Sequence, residues 1–203
     1  MAKTIITVGR EIGSGGRTIA QKVAERLGVP FYDKAVIKGL TEKFNVSAAE
    51  IERVKASRRT AWPVLGSLIM PSPAFDYTYA AMAVNPTDEV FKAEAAIVQE
   101  LADEGPCVIA GRSGFFLLKD RPERFSVFIQ APKEMRIARV ASRQSISEAE
   151  ARKIVESVDE GRENYTKRYA GVSRYDLRNY DLVLNTGIIP EEQAVEAILA
   201  AIK

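Results

Sequence analysis

The sequence predicts an α/β fold built on a five-stranded parallel sheet, and three observations lead there. First, residues 4–20 run from a β-branched stretch (Thr4–Val8) through a glycine cluster (Gly13, Gly15, Gly16) into a helical pattern. Second, four further short apolar runs, at 29–32, 107–110, 125–129 and 181–184, alternate with helix-patterned segments. Near-continuous apolar strands are what a parallel sheet covered on both faces requires. Third, the loop at 9–16, Asp33 and Gly111-Arg112 each follow one of these runs. Parallel sheets bind ligands at the carboxyl ends of their strands, so three polar features would meet on one edge.

The elements follow in order. Residues 4–8 form the first strand. The first helix spans 16–27, with Ile19, Ala20, Val23, Ala24 and Leu27 at helical spacing, and Gly28 closes it. A short strand at 29–32 ends at Asp33. Residues 34–44 have a helical pattern, and the capping box Ser47-Ala-Ala-Glu50 opens another helix to about Arg59. Residues 60–86 mix Trp62, Leu65, Phe75 and Tyr77 with Pro63, Pro71 and Pro73. That stretch is too apolar for a disordered linker. It reads as a flap, a substrate lid or an oligomer contact, with folding back into the core an equal alternative. Asn85-Pro86 starts a helix to about Glu104, with Val90, Ala93, Ile97, Val98 and Leu101 on its apolar face. A helix begins at Ala131-Pro132, and the capping box Ser147–Glu150 opens the next, to about Tyr169. The last helix covers 190–202.

Bulk properties narrow the function. At 203 residues the chain makes one domain. Its net charge of +2 gives no general pull toward nucleic acid or membrane. Positive charge is 17 Arg against 12 Lys, and ten of the arginines lie between Arg121 and Arg178. Arginine favours planar, bidentate phosphate contacts. There is no histidine, which excludes Ser-His-Asp triads and histidine zinc sites. Cys107, the one cysteine, lies in an apolar run and reads as a small core residue. No leader or membrane span is visible, so a cytoplasmic location is expected.

The chemistry centres on the glycine loop. Strand, glycine loop and helix together make an anion cradle of backbone N–H groups with the helix dipole behind it. The bland alternative is a plain turn. The phosphate-loop pattern G-x-x-x-x-G-K-[ST] has Gly16 where its lysine belongs, followed by Arg17 and Thr18. Arg17 is the candidate replacement. Arg136, Arg139 and Arg143 recur on one helix face, and Arg162 and Arg168 lie on the next helix with Tyr165 and Tyr169. Either these arginines serve a transferring phosphoryl group, or they are solvated faces paired with Asp159, Glu160 and Glu163. Asp33 and Glu11 are the carboxylates nearest the loop. With the Ser14 and Thr18 hydroxyls they offer oxygen to Mg²⁺, while Asp33 is as readily an N-cap.

Several blocks carry a family resemblance. Gly9-Arg-Glu-Ile-Gly-Ser-Gly-Gly-Arg17, Leu27-Gly-Val-Pro-Phe-Tyr-Asp-Lys34 and Gly105-Pro-Cys-Val-Ile-Ala-Gly-Arg112 are three of them. Arg121–Ile129, Arg162–Tyr169 and Tyr180–Thr186 extend the match across almost the whole chain apart from 60–86. Together they resemble the cytidylate kinase-like family of P-loop nucleoside monophosphate kinases. The resemblance implies a three-layer P-loop kinase fold in a single domain. Its core would be 1–33, 87–132 and 170–203, with an acceptor-binding insertion at about 34–86 and a helical lid with its flanking helices at about 133–169. Gly13, Ser14, Gly15, Gly16, Arg17 and Thr18 would hold ATP phosphates. Asp33 and Arg112 would border the acceptor, and Arg139, Arg143, Arg162 and Arg168 would clamp phosphates as the lid closes. The implied cofactors are ATP and Mg²⁺, with no residue assigned as a resident metal ligand. The implied partners are nucleotide substrates, with no nucleic acid or membrane and a monomer or homodimer.

Two departures stand out. Gly16 replaces the lysine of authentic cytidylate kinases, and Ser113 replaces the aspartate that follows their Gly-Arg pair. The expected reaction is ATP-dependent phosphoryl transfer to a nucleoside monophosphate, CMP or dCMP foremost. The alternatives are a hydroxyl kinase with Asp33 as general base and a non-catalytic nucleotide sensor using 60–86 as a partner surface.

Overall fold

The computed structural model describes residues 4–33, 37 and 88–202. The helices expected at 34–44 and 47–59, the 60–86 flap and, apart from Ile37, the proposed insertion at 34–86 lie outside the described residues.

Five strands form one sheet: β1 (Ile5–Arg10), β2 (Phe31–Tyr32), β3 (Cys107–Ala110), β4 (Arg124–Gln130) and β5 (Leu182–Asn185). Their order is β2-β3-β1-β4-β5, and every pair is parallel. Six α-helices complete the described fold: α1 (Gly16–Leu27), α2 (Asp88–Glu104), α3 (Gly114–Leu117), α4 (Lys133–Gln144), α5 (Glu148–Ala170) and α6 (Glu191–Ala201).

Side-chain alternation along β1 builds the layers. Ile6 and Val8 join Ile19, Ala20 and Val23 of α1 and Val195 and Ile198 of α6 in one buried cluster. Ile5 points the other way, into a cluster with Ile97, Val98 and Leu101 of α2 and with Cys107, Ile109 and Leu118. A strand buried on both faces reads as a continuous apolar run, which is why β1 and β3 are so apolar. The result is the expected three-layer arrangement.

Two boundaries move in ways that matter. Strand β1 continues to Arg10, because Gly9 and Arg10 pair with Phe128 and Ile129 of β4. Arg10 is therefore a strand residue and not part of the loop. The short helix α3 follows β3 directly, after Arg112 and Ser113 in the left-handed region at φ 55° and 51°. The capping box opens α5 as expected: the Ser147 hydroxyl accepts from the Glu150 N–H, and the Glu150 carboxylate accepts from the Ser147 N–H.

Candidate active site

The glycine loop joins the centre of the sheet to α1. Gly13 (φ 77°) and Gly15 (φ 79°) take left-handed conformations that a side chain would strain. Gly13 also has no room: a Cβ there would lie 2.7 Å from the Arg136 carbonyl oxygen. The fully buried Ser14 donates its hydroxyl to the Glu11 carbonyl at 2.8 Å. From the far side, the Thr186 hydroxyl donates to the Ser14 carbonyl at 2.7 Å.

The α4–α5 pair anchors the loop. The Ile12 side chain is buried with Ile137, Val140, Ala151, Val155 and Val158. Its N–H donates to Asp159 Oδ1 at 3.1 Å, and its carbonyl accepts from Arg136 Nη1 at 3.3 Å. Arg136 pairs with Asp159 at 2.5 Å and with Glu11 at 3.3 Å. Arg162 and Arg174 lie 3.8 and 3.7 Å from Asp159 Oδ1. Burial raises the Glu11 carboxyl above its ordinary pKa, against the opposing pull of Arg136.

A pocket opens over the loop, lined by residues 10–13 and 15–18 together with Arg143 and Arg162. Four arginines, Arg10, Arg17, Arg143 and Arg162, thus line the pocket at the N-terminus of α1. Arg17 also pairs with Asp33 at 2.8 Å, which ties the loop to the end of β2. Arg162 donates to the Arg10 carbonyl at 3.1 Å. Arg139 donates to the Gly13 carbonyl at 3.3 Å and braces the loop rather than lining the pocket.

Beside this pocket lies the turn after β3. Arg112 lies there with its side chain 10% exposed, paired with Glu94 of α2 and donating to the Tyr165 hydroxyl at 3.1 Å. Its guanidinium lies 4.6 Å from the Tyr165 ring centre. Burial draws the Arg112 pKa below its ordinary value, Tyr165 opposes that, and Arg10 adds to it. Ser113, the residue that departs from the family pattern after Gly111-Arg112, shares a hydrogen bond with Thr166 at 3.2 Å. Phe91 stacks on Tyr169, with ring centres 3.9 Å apart, next to Tyr165.

The sequence-predicted residues therefore divide. Gly13, Gly15, Gly16, Arg17, Thr18, Arg143 and Arg162 meet at the pocket, with Ser14 beneath it. Arg168 does not; it pairs with Asp88 at 2.7 Å on the surface. The solvated-face alternative fits Arg168 and fails for Arg136, which is 6% exposed. Sequence reasoning missed Arg10, Glu94, Arg136 as a loop anchor, and Arg174. The shared partner of Arg136 and Arg174 is Asp159, and only the fold brings those groups together.

Among the described residues no cluster of three carboxylate or cysteine side chains could hold a resident metal. The Thr18 hydroxyl lines the pocket, whereas the Ser14 hydroxyl is already engaged. Such a donor set fits Mg²⁺ carried in on phosphates, which needs only one or two protein oxygens. None of the described helices is long and apolar enough to cross a membrane.

Comparison with known proteins identifies the family and the fold. A model of the cytidylate kinase-like family matches residues 5–188. Cytidylate kinase of Pyrococcus horikoshii is 28% identical over 202 residues, covering 98% of this chain and 88% of that protein. Cytidylate kinase of Ignicoccus hospitalis is 27% identical over 196 residues, 96% of each chain. Among solved structures, an uncharacterized protein from Eubacterium ventriosum aligns with a TM-score of 0.72 at 22% identity over 98% of each chain. Shikimate kinase from Bacteroides thetaiotaomicron aligns at 0.53 and 14% identity over 97% of each chain. These two structural likenesses are likenesses of fold.

Proposed function

We propose that this chain, which belongs to the cytidylate kinase-like family, transfers the terminal phosphoryl group of Mg·ATP to a nucleoside monophosphate, with CMP and dCMP the first acceptors to test. The observation that carries the reading is the gathering of Arg10, Arg17, Arg143 and Arg162 around a glycine loop at a helix N-terminus. Phosphoryl transfer spreads negative charge over the moving group, and catalysis is mainly positioning and charge stabilisation. The loop N–H groups from Gly13 to Thr18 cradle the donor phosphates. Arg17, Arg143 and Arg162 balance their charge, and Arg139 braces the loop from behind. Mg²⁺, bound with the nucleotide, supplies further charge neutralisation.

An oxygen of the acceptor phosphate attacks the terminal phosphorus, and the bond to the bridging oxygen of ADP breaks. The attacking oxygen is already ionised, so no general base is required, in keeping with a chain that lacks histidine. Arg112 and Asp33 border the acceptor. Asp33 is engaged by Arg17 at 2.8 Å, so as a general base for a hydroxyl acceptor it would first have to leave that contact. Arg168, on the surface with Asp88, joins the site only if α5 moves on closure.

The test is ADP formation from Mg·ATP against ribo- and deoxyribonucleoside monophosphates, with a no-acceptor control. Acceptor-dependent turnover that drops at least tenfold in Arg112→Ala supports the reading. Turnover confined to a hydroxyl acceptor and lost in Asp33→Asn would replace it. ATP binding without turnover on any acceptor would leave a nucleotide sensor.

A further inference from the structure

Arg10 is the last residue of β1 and only 9% exposed. The root of its side chain lies directly over Gly16, the first residue of α1. A Cβ on Gly16 would lie 2.6 Å from Arg10 Cβ, 3.1 Å from Arg10 Cγ and 3.3 Å from Ile129 Cβ. Gly16 is absent from the positive-φ glycines, so its backbone does not demand glycine. What demands it is the Arg10 side chain, whose Cβ, the nearest atom, is fixed by the strand backbone and cannot swing aside. The far end of that side chain reaches Gly111, where a Cβ would collide with Arg10 Nη1. Arg10 therefore spans from the phosphate loop to the turn that carries Arg112.

Its backbone is held equally firmly. The Arg10 carbonyl accepts from Arg162 at 3.1 Å and also from Arg174. Arg10 lines the loop pocket, and its charge acts on Arg112. Arg17, the other candidate, turns toward the end of β2, where it donates to Asp33 at 2.8 Å.

We propose that Arg10 takes the place of the lysine that the glycine loop lacks: it is the buried cation that contacts phosphate in the loop pocket and faces Arg112 across the transfer path, and Gly16 is glycine because Arg10 occupies the lysine's space. The turnover part of this inference rests on the phosphotransferase reading; the binding part does not.

The experiment compares the parent with Arg10→Met and Arg10→Gln, which keep the stem and remove the charge. It also includes Gly16→Lys and the exchange variant Arg10→Gly/Gly16→Lys. Binding of ATP and inorganic tripolyphosphate is measured by calorimetry, folding by thermal unfolding, and turnover with the best acceptor found. Either neutral variant, whichever folds, is expected to bind tripolyphosphate at least tenfold more weakly than the parent. Turnover should fall by ~10²–10³, as for loss of one aimed charge-stabilising group. Gly16→Lys alone is expected to unfold at a lower temperature and bind poorly. The exchange variant should recover folding and at least tenfold of the lost affinity.

Tripolyphosphate binding within threefold of the parent in the neutral variants overturns the assignment. So does a Gly16→Lys protein that folds and binds like the parent. A parent without turnover, whose tripolyphosphate binding is lost in Arg10→Met, upholds Arg10 and removes the phosphotransferase. A parent that binds no tripolyphosphate overturns both.

Discussion

Replacing Asp159 with alanine would show whether the anchoring of the phosphate loop is electrostatic. Asp159 is 8% exposed and meets Arg136 at 2.5 Å, the Ile12 N–H at 3.1 Å, and Arg174 and Arg162 at 3.7 and 3.8 Å. Its removal leaves the buried Arg136 guanidinium with Glu11, at 3.3 Å, as its remaining carboxylate among the described residues. Breaking a buried ion pair costs about 3–5 kcal/mol, because one charge stays buried and uncompensated. The lost charged hydrogen bond to Ile12 accounts for about 1.5–3 kcal/mol of that. Glu11 moderates the remainder, so about 3 kcal/mol is expected. For a domain of this size that lowers Tm by about 6–12 °C. Circular dichroism melts at neutral pH measure it, with tripolyphosphate binding followed in parallel because Ile12 belongs to the loop. Asp159→Asn keeps an acceptor for Ile12 and should lose less. Arg152→Ala, which breaks an exposed pair with Glu134, should leave Tm unchanged. A fall of less than about 2 °C in Asp159→Ala, corresponding to about 1 kcal/mol or less, would refute a charge-dependent anchor.

Three further outcomes are expected. Burial raises the Glu11 pKa, so the folded protein binds that proton more readily than the unfolded chain. Glu11 therefore costs stability as pH rises from the ordinary carboxylate range through its folded pKa. The Tm of Glu11→Gln relative to the parent should move in favour of the variant between about pH 4 and 7; a flat or opposite trend refutes this. Gly13→Ala meets both a left-handed φ and the Arg136 backbone at 2.7 Å, whereas Gly28→Ala meets only its φ of 66° and open space. Urea unfolding should show a loss of about 1–2 kcal/mol for Gly28→Ala and clearly more for Gly13→Ala, and equal losses would contradict the steric argument. Cys107 is 1% exposed and burial pushes its thiol up to about 12. Ellman's reagent should find one thiol in denaturant and essentially none in the native protein over the same interval, and fast native labelling would refute a closed core.

Elements marked by local chemistry were legible from the sequence. Helix α1 lies between the glycine cluster and Gly28, β3 is the apolar run Cys107–Ala110, and α5 starts at its capping box. The glycine loop and most of the residues lining its pocket followed from glycine and arginine placement. What stayed hidden depends on partners distant in sequence. Gly9 looked like the start of a loop, and only pairing with β4 extends the strand to Arg10. Arg136, Arg139 and Arg143 look alike at helical spacing, yet Arg136 is buried against Asp159 and Arg139 reaches the Gly13 carbonyl. A missing lysine is visible in one sequence, but the side chain filling its space is visible only once strand and loop are packed together.

That packing explains how a chain of net charge +2 can concentrate positive charge at one sheet edge. Carboxylates neutralise the arginines that build the site: Asp159 and Glu11 hold Arg136, Asp33 holds Arg17, and Glu94 holds Arg112. Arg162 donates to the Arg10 carbonyl at 3.1 Å and lies 3.8 Å from Asp159, a carboxylate it shares with Arg136 and Arg174. The carbonyl and the shared carboxylate together orient the guanidinium and keep the side chain ordered at the pocket. Groups fixed before the ligand arrives lose little entropy on binding and need no reorganisation as charge develops. The exposed Arg168–Asp88 pair has neither property, since both partners are solvated and free to move. On this argument Arg168→Ala should change tripolyphosphate affinity far less than Arg162→Ala does, and equal effects would mean that ordering by the Arg10 carbonyl and Asp159 is not what gives the pocket its charge.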